Sequence, residues 1–372
     1  MNWKDKTRVY LSRLILSLYF CLIFLPGILD GQTKPKPYIL HWTEKDGLCN
    51  NLVFQVIQDQ EGNLWIGTAN GLCRFDGTSF TSFQYDPKDQ GSISSNEAVF
   101  LMEAQDHRIW IGTDGGGLSV YDQGSESFTT FRQNLKDPQS GLMEDRVYNI
   151  WEESDGEMVI GYRAIGSGQG GLSILSPDFK IKQHVLQDRR DYANFPLKIT
   201  QILQDPDQNN SFWLAGRSFF WWDKASGDFA EFPHPGFRPN YTSIHGIMND
   251  SDSSLLVALN YDGLWQFDKK NKKWAAQIHP LAVQSICKDQ ENNIWLADPK
   301  GIGWFDEKRT QVNYELLLNN PQSPFPASLL PSMRSRNCTP VRQARQPARC
   351  SANRRPRRPV ANVQSEAREE EG

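Results

Sequence analysis

The sequence predicts an all-β fold, a β-propeller of four-stranded blades, and three observations carry that prediction. Gly62-Asn63-Leu64-Trp65-Ile66-Gly67-Thr68, followed by Gly71-Leu72 and Phe75-Asp76, returns as Arg108-Ile109-Trp110-Ile111-Gly112-Thr113 with Gly117-Leu118 and Tyr121-Asp122. Four weaker copies keep the frame. They are Met158-Val159-Ile160-Gly161 with Gly171-Leu172, Phe212-Trp213-Leu214-Ala215 with Trp222-Asp223, Leu255-Leu256-Val257-Ala258 with Gly263-Leu264, and Ile294-Trp295-Leu296-Ala297 with Gly301-Ile302. The six anchor positions, 65, 110, 159, 213, 256 and 295, lie 45, 49, 54, 43 and 39 residues apart, a period suited to propeller blades rather than to leucine-rich or helical repeats. No stretch carries a sustained helical period, so almost no helix is expected before residue 320.

Each unit reads as four strands. Val53 to Asp59 is apolar and β-branched, as an inner strand buried among neighbours should be. Asp59 to Asn63 is a turn in which Gly and Asn accept positive φ and the Asp side chain can cap the backbone. Leu64 to Thr68 is the second strand, its Trp offering a flat surface to the adjacent blade, and Leu72 to Phe75 is the third. Ser79 to Phe83 alternates with period two, as an outer edge does. Val147 to Glu152, Ile199 to Asp205, Ile244 to Asp250 and Val283 to Asp289 repeat the inner strand. Because the Trp, the Gly-Thr pair and the closing Asp recur in equivalent places, they are read as structural; departures from the repeat are where function is sought.

The run Asp-x-x-Gly-Asn-Leu-Trp-Ile-Gly-Thr-x-x-Gly-Leu at 59 to 72, its second copy at 106 to 118, and the opening His41 to Leu48 resemble the two-component regulator propeller repeats. These form the periplasmic sensor region of Bacteroides-type hybrid two-component sensor histidine kinases. The resemblance covers residues 38 to 320. WD repeats fit less well, for want of a Gly-His to Trp-Asp pairing, and the glycine doublets are too few for kelch repeats. It implies seven blades, against six recognisable here, so the ring is expected to be incomplete, with Tyr38 to Leu52 available as an outer strand for the last unit. It also implies a membrane helix and kinase core beyond the propeller, and a homodimer as an option for such a longer form. This chain shows neither a second apolar span nor a phosphoacceptor His in a helical setting, so it is expected to be a truncated, non-enzymatic ligand sensor.

At the N-terminus, Lys4, Lys6, Arg8 and Arg13 precede the apolar run Leu14 to Leu25, which Pro26-Gly27 ends. This is the build of a secretory signal over residues 1–31 and predicts a periplasmic protein. Six cysteines show no metal-ligand spacing, and an oxidising compartment would permit a Cys49 to Cys73 bridge, but buried single thiols are the expected state. Six unclustered histidines predict no metal site, and no cofactor is expected. Residues 321–372 hold ten Arg, no Lys and four Glu, although the whole chain carries a net charge of −4. Lys is frequent up to Lys308 and then vanishes, so the segment is read as a disordered Arg/Pro-rich tail of shifted reading frame rather than a nucleic-acid-binding arm. Nucleic acid is not expected as a partner, nor is a membrane except through segments this chain lacks.

A ligand is expected at the mouth of the central channel, where loops converge on a rigid scaffold. The breaks from the repeat there are Asp114 in the second unit, Tyr162 and Arg163 in the irregular third-unit loop, Arg217 in the fourth unit, Tyr261 in the fifth and Asp298 in the sixth. Aromatic faces beside carboxylates and Arg suit a sugar, above all an acidic oligosaccharide that Arg could grip bidentately. The alternatives are a secreted carbohydrate-active enzyme or lyase, needing two carboxylates or a His and a Tyr in the channel, and a plain interaction scaffold.

Overall fold

The computed structural model describes residues 42 to 314, apart from 164–169, 187–198, 209, 217, 237–242, 290–291, 307–308 and 310. The expected signal over 1–31, residues 38 to 41 and the expected basic tail over 321–372 therefore lie outside the described residues. Six antiparallel four-stranded sheets follow one another in chain order. Blade 1 is β1 (Val53–Gln58), β2 (Leu64–Thr68), β3 (Gly71–Phe75) and β4 (Phe80–Phe83), and blade 2 is β5 (Ala98–Glu103), β6 (Ile109–Thr113), β7 (Leu118–Asp122) and β8 (Ser127–Phe131). Blade 3 is β9 (Val147–Glu152), β10 (Met158–Tyr162), β11 (Gly171–Leu175) and β12 (Ile181–Leu186), and blade 4 is β13 (Gln201–Gln204), β14 (Ser211–Ala215), β15 (Phe219–Asp223) and β16 (Phe229–Glu231). Blade 5 is β17 (Ile244–Ser251), β18 (Ser254–Leu259), β19 (Gly263–Asp268) and β20 (Lys273–His279), and blade 6 is β21 (Ser285–Lys288), β22 (Ile294–Asp298), β23 (Gly301–Phe305) and β24 (Val312–Asn313). Among the described residues the one helix is a 3-10 turn, Glu44–Asp46, boxed at its start by Thr43.

Both glycines of the repeat have a steric reason. A Cβ on Gly67 would sit 2.5 Å from Ala98 O, and one on Gly112 would sit 2.6 Å from Val147 O, because the next blade's inner strand presses on the second strand there. Gly71 and Gly117 open the third strand at φ +103° and +79°, where an added Cβ would strike the carbonyl of Phe83 or Phe131. The Trp position is equally constrained. Trp65 Nε1 donates to Asp59 Oδ2 at 2.8 Å, Trp213 Nε1 to Asp205 Oδ2 at 3.0 Å, and Trp295 Nε1 to Asp289 Oδ2 at 2.8 Å. The aspartate caps the first hairpin and satisfies the indole with one carboxylate.

Neighbouring blades are sewn together by amides on the inner strands. Gln55 donates Nε2 to Leu101 O and accepts from Leu101 N across the first interface. Asn149 does the same with Thr200 O and Ile202 N across the third, and Gln201 accepts from Ile247 N across the fourth. These buried side chains imitate a strand ladder between sheets, each amide pairing with backbone groups of the next blade.

Five apolar clusters fill the joints between consecutive blades. A sixth, around Leu48, Val53, Ile66 and Cys73, belongs to blade 1 and the segment leading into it. Among the described residues no cluster joins blade 6 to blade 1, and β21 does not pack on β1 as the five consecutive pairs of inner strands pack. Among the described residues, then, the joint between blade 6 and blade 1, the seam of the ring, lacks the inner-strand packing of the other five.

Two expectations are corrected. Residues 42–52 supply no strand to the last unit; they fold back on blade 1, where Trp42 packs on Phe75 and Phe80 and Leu48 is buried. That fold-back sets the Cα atoms of Cys49 and Cys73 5.9 Å apart, and the two are joined as a disulfide rather than held as single thiols. Cys287 is buried and outside any disulfide, as expected.

Candidate functional site

The channel can be located from packing. Phe54, Val99 and Tyr148 hold the same register on β1, β5 and β9, the inner strands of three successive blades, and form one cluster. Blades 1 and 3 are not neighbours, so side chains reaching each other from both meet at the axis. Ala69, the first residue past β2, packs on this cluster, which puts the turn after the second strand over the channel mouth. On the other side the row continues with Thr200, His245 and Gln284, the last two joined Nδ1 to Oε1 at 3.1 Å.

The residues equivalent to Ala69 in blades 2 and 3 are Asp114 and Arg163, and the structure brings them together. Tyr148 donates its hydroxyl proton to Asp114 Oδ2 at 2.6 Å and accepts from Arg163 Nη1 at 2.6 Å, while the guanidinium lies 5.1 Å from the Tyr148 ring centroid. Arg163 Nη1 is 3.9 Å from Asp114 Oδ2, and Arg146 Nε is 3.1 Å from Asp114 Oδ1. Arg146 also donates Nη1 to Glu144 Oε1 at 3.2 Å. The backbone fixes these groups: Asp114 bridges Arg146, and Arg163 N donates to Arg146 O. Burial, and next the hydrogen bond to Asp114, push the Tyr148 hydroxyl above its ordinary pKa, so it stays a proton donor near neutral pH.

The other sequence candidates lie elsewhere. Tyr162 and Asp298 occupy the register of Thr68 and Thr113, the last residue of the second strand, which is buried in each of these blades. The Tyr162 hydroxyl donates to Ser173 Oγ at 2.9 Å, and burial raises its pKa. Asp298 accepts from His279 Nε2 and from Lys300 N, each at 2.8 Å, and from the Tyr314 hydroxyl. Burial pushes the Asp298 carboxyl up, but the bonds from His279 and Tyr314 outweigh it and hold the pKa below the ordinary value. A His, a Tyr and an Asp thus meet, but around a fully buried carboxylate between blades 5 and 6, apart from the Asp114 cluster. Tyr261 stands 62% exposed on the β18–β19 turn, and Arg217 lies outside the described residues.

Sequence reasoning missed Tyr148, Arg146 and Glu144. The available signal was register: Tyr148 is the polar aromatic in a channel row otherwise opened by Phe54 and Val99. Among the described residues no group of His, Cys, Asp and Glu is arranged to hold a metal ion, and no helix is long and apolar enough to cross a membrane.

Residues 47–70 match the family model described as two component regulator propeller. A stretch of 53 residues is 43% identical to Histidine kinase P4 of Formosa agariphila, covering 14% of this chain and 4% of that protein. The extracellular domain of BT3049 from B. thetaiotaomicron, described as a hybrid two component system, superposes with a TM-score of 0.62 at 21% identity. The match covers 75% of this chain and 36% of that one. The extracellular domain of BT4673 from the same organism, described as a one component system, gives a TM-score of 0.44 at 20% identity over 68% and 38% of the two chains. The chain therefore spans little more than a third of these solved domains. It is an all-β propeller carrying the two-component regulator propeller repeat, as its motif indicated.

Proposed function

We propose that this propeller is the extracytoplasmic recognition domain of a two-component sensor and that an oligosaccharide docks at the channel mouth beside Tyr148, Asp114 and Arg163. The observation that carries the reading is the Arg163 guanidinium, anchored through one nitrogen on Tyr148 but 3.9 Å from Asp114, beyond hydrogen-bond distance. Its remaining donors suit a planar carboxylate of an acidic sugar, gripped bidentately, while Asp114 and Glu144 accept from hydroxyls. The Cys49–Cys73 disulfide supports placement in an oxidising compartment. Ligand occupancy would act by binding two arrangements of the sensor with different affinity, which is the sole way a ligand moves such an equilibrium.

Calorimetry of the full chain against plant and host-glycan oligosaccharides tests this reading. Saturable binding without turnover, weakened at least ~10-fold by Arg163→Ala, is expected, the loss corresponding to a charge-assisted hydrogen bond. Product formation would replace the sensor reading with the enzyme, and absence of binding would replace it with a scaffold.

A further inference from the structure

Four residues of the channel row, Phe54, Val99, Tyr148 and His245, share a backbone device: each is the unpaired residue of a β-bulge on its inner strand. A bulge turns a side chain out of the ladder, here toward the axis. The last residue of the second strand faces the bulge. In blades 1 and 2 it is Thr68 or Thr113, whose hydroxyl donates to the carbonyl of Gly71 or Gly117 at 2.8 Å and so closes its own turn. In blade 3 it is Tyr162, paired with Val147 beside the bulged Tyr148 and followed directly by Arg163. Its anchor is not local. The Tyr162 hydroxyl donates to Ser173 Oγ on β11 at 2.9 Å, Ser173 Oγ lies 2.7 Å from His184 Nδ1 on β12, and His184 Nε2 lies 2.8 Å from Pro138 O in the loop that leads to Arg146. A chain of three hydrogen bonds runs from the outer strand of the blade to the foot of the Tyr148, Asp114 and Arg163 cluster.

Counting protons fixes the direction of the chain. Tyr162 and Ser173 are fully buried, and each hydroxyl has one proton to give. Tyr162 gives its proton to Ser173 and Ser173 gives its own to Nδ1, so the imidazole accepts there and donates Nε2–H to Pro138 O. Neutral His184 therefore satisfies every group. A charged imidazolium donates from both nitrogens, so Nδ1–H and the Tyr162 hydroxyl compete for Ser173 and a buried hydroxyl proton loses its acceptor, a cost relieved when Tyr162 shifts. His184 is half-buried on the outer strand, and His is the side chain whose ordinary titration falls nearest neutral pH. The charged groups around the chain are Lys182, on the same face of β12 and held by Glu157, Asp137 beside Pro138, and Glu144 and Asp145 near the Tyr162 hydroxyl; among the described residues none of them pairs with the imidazole. Tyr162 directly precedes Arg163 and lies opposite the bulge that aims Tyr148, so a shift of its seat passes to both. We propose that His184 is a positioning residue of the channel mouth: through Ser173 and Tyr162, neutral His184 holds Arg163 and Tyr148 in place, and its protonation loosens them. The ligand of that mouth rests on the function proposed above; the coupling does not.

The test records the Arg163 Nε–Hε cross-peak, assigned with Arg163→Lys, and the His184 ring resonances of the ligand-free full chain between pH 8 and pH 5. The Arg163 peak should move with the midpoint of the His184 ring. Tyr162→Phe keeps the packing and cuts the chain, so His184 should still titrate while the Arg163 peak stays still. His184→Gln keeps an acceptor for Ser173 and a donor for Pro138 O without titrating, and should hold the Arg163 peak still as well. An Arg163 peak indifferent to the titration of His184 overturns the proposal, and so does a shift that survives in both variants, which would come from His245 in the channel. In a second arm, calorimetry with trigalacturonate should give a Kd at least ~5-fold weaker at pH 5 than at pH 8, the cost of one buried hydrogen bond, and His184→Gln should flatten that profile; an undiminished pH dependence in the variant overturns the proposal. Coupling observed in a chain that binds no trigalacturonate supports this proposal while telling against the channel-mouth ligand, so the two failures are told apart.

Discussion

The Asp59–Trp65 pair offers the sharpest perturbation of the fold. Asp59 is 2% exposed and Trp65 is fully buried. The carboxylate accepts from the indole at 2.8 Å, from Asn63 N at 2.9 Å and from Asn63 Nδ2 at 3.0 Å. Asp59→Ala orphans a buried indole N–H, at about 1–3 kcal/mol, and deletes the hairpin cap, at about 1 kcal/mol, for a total of about 2–4 kcal/mol. Asp59→Asn keeps an acceptor but loses its charge, so about 1 kcal/mol is expected. Urea unfolding followed by tryptophan fluorescence reads the difference, with Trp65→Phe and the double variant completing a cycle. The coupling should be about 1–3 kcal/mol, since the alanine variant loses less when no indole is left to satisfy. Asp59→Ala within ~0.5 kcal/mol of wild type, or strictly additive changes in the cycle, would refute the reasoning.

Replacing Cys49 and Cys73 by Ser opens a loop closed across a separation of 24 residues, so stability should fall by about 3.5 kcal/mol on the chain-entropy account, and unfolding with and without reductant should converge in the variant. Because His279 and Tyr314 hold the Asp298 pKa below its ordinary 3.8, its contribution to stability is present above that pH and is lost as pH falls through the lowered folded value. Asp298→Asn should accordingly be destabilised at pH 7 and approach wild type on acidification; a pH-independent gap in thermal midpoints would count against this. Gly117→Ala places a Cβ 2.2 Å from Phe131 O at φ +79° and should destabilise by about 2 kcal/mol or more, whereas Gly115→Ala, with nothing within 4 Å, pays only for its backbone conformation; equal midpoints for the two would contradict the steric account. In hydrogen exchange the amides of β21 to β23 should open before those of β6 and β10, since among the described residues the inner strand of blade 6 packs on one neighbouring inner strand rather than two; equal protection would contradict this.

Periodicity made the blades legible, because one physical unit was written six times. The inner strand Val147–Glu152 matches its predicted bounds, while β13 starts at Gln201 instead of Ile199, where Thr200 spends its hydroxyl on Ala215 O and Ile244 O. The disulfide was not legible, since Cys49 meets Cys73 only through the fold-back of residues 42–52. The amide stitches were hidden for a similar reason: Gln55, Asn149 and Gln201 look like the polar half of an alternating strand, and their partners lie on another blade. At the mouth, a departure one residue past the second strand, at Asp114 and Arg163, puts the side chain beside Tyr148 over the channel. One residue earlier, at Tyr162 and Asp298, the same departure falls in a buried register, so an unusual side chain there remodels the turn from inside. Position within the unit carries more information than the oddity of the residue.

The seam shows the same rule acting on packing. Trp65, Trp110 and Trp213 are at most 2% exposed because a following blade covers them. Trp295 has the equivalent strand partner, Cys287, and the same bond to its aspartate, yet it is half-buried. Nothing in its own blade accounts for the difference, so the neighbour does. The far side of blade 6 carries Trp295, Trp304 and Ile302, all half-buried, on the surface that elsewhere receives an inner strand. Blade 1 faces the seam differently, sealed by Leu48, Trp42 and the disulfide. The two sides are thus unequal: one is closed by the chain's own leading segment, and the other presents a row of indoles whose burial, in every comparable blade, comes from the sheet that follows. Burial of the repeat's Trp is a property of the array and not of the motif, which is why a motif alone could count blades but could not say whether they closed.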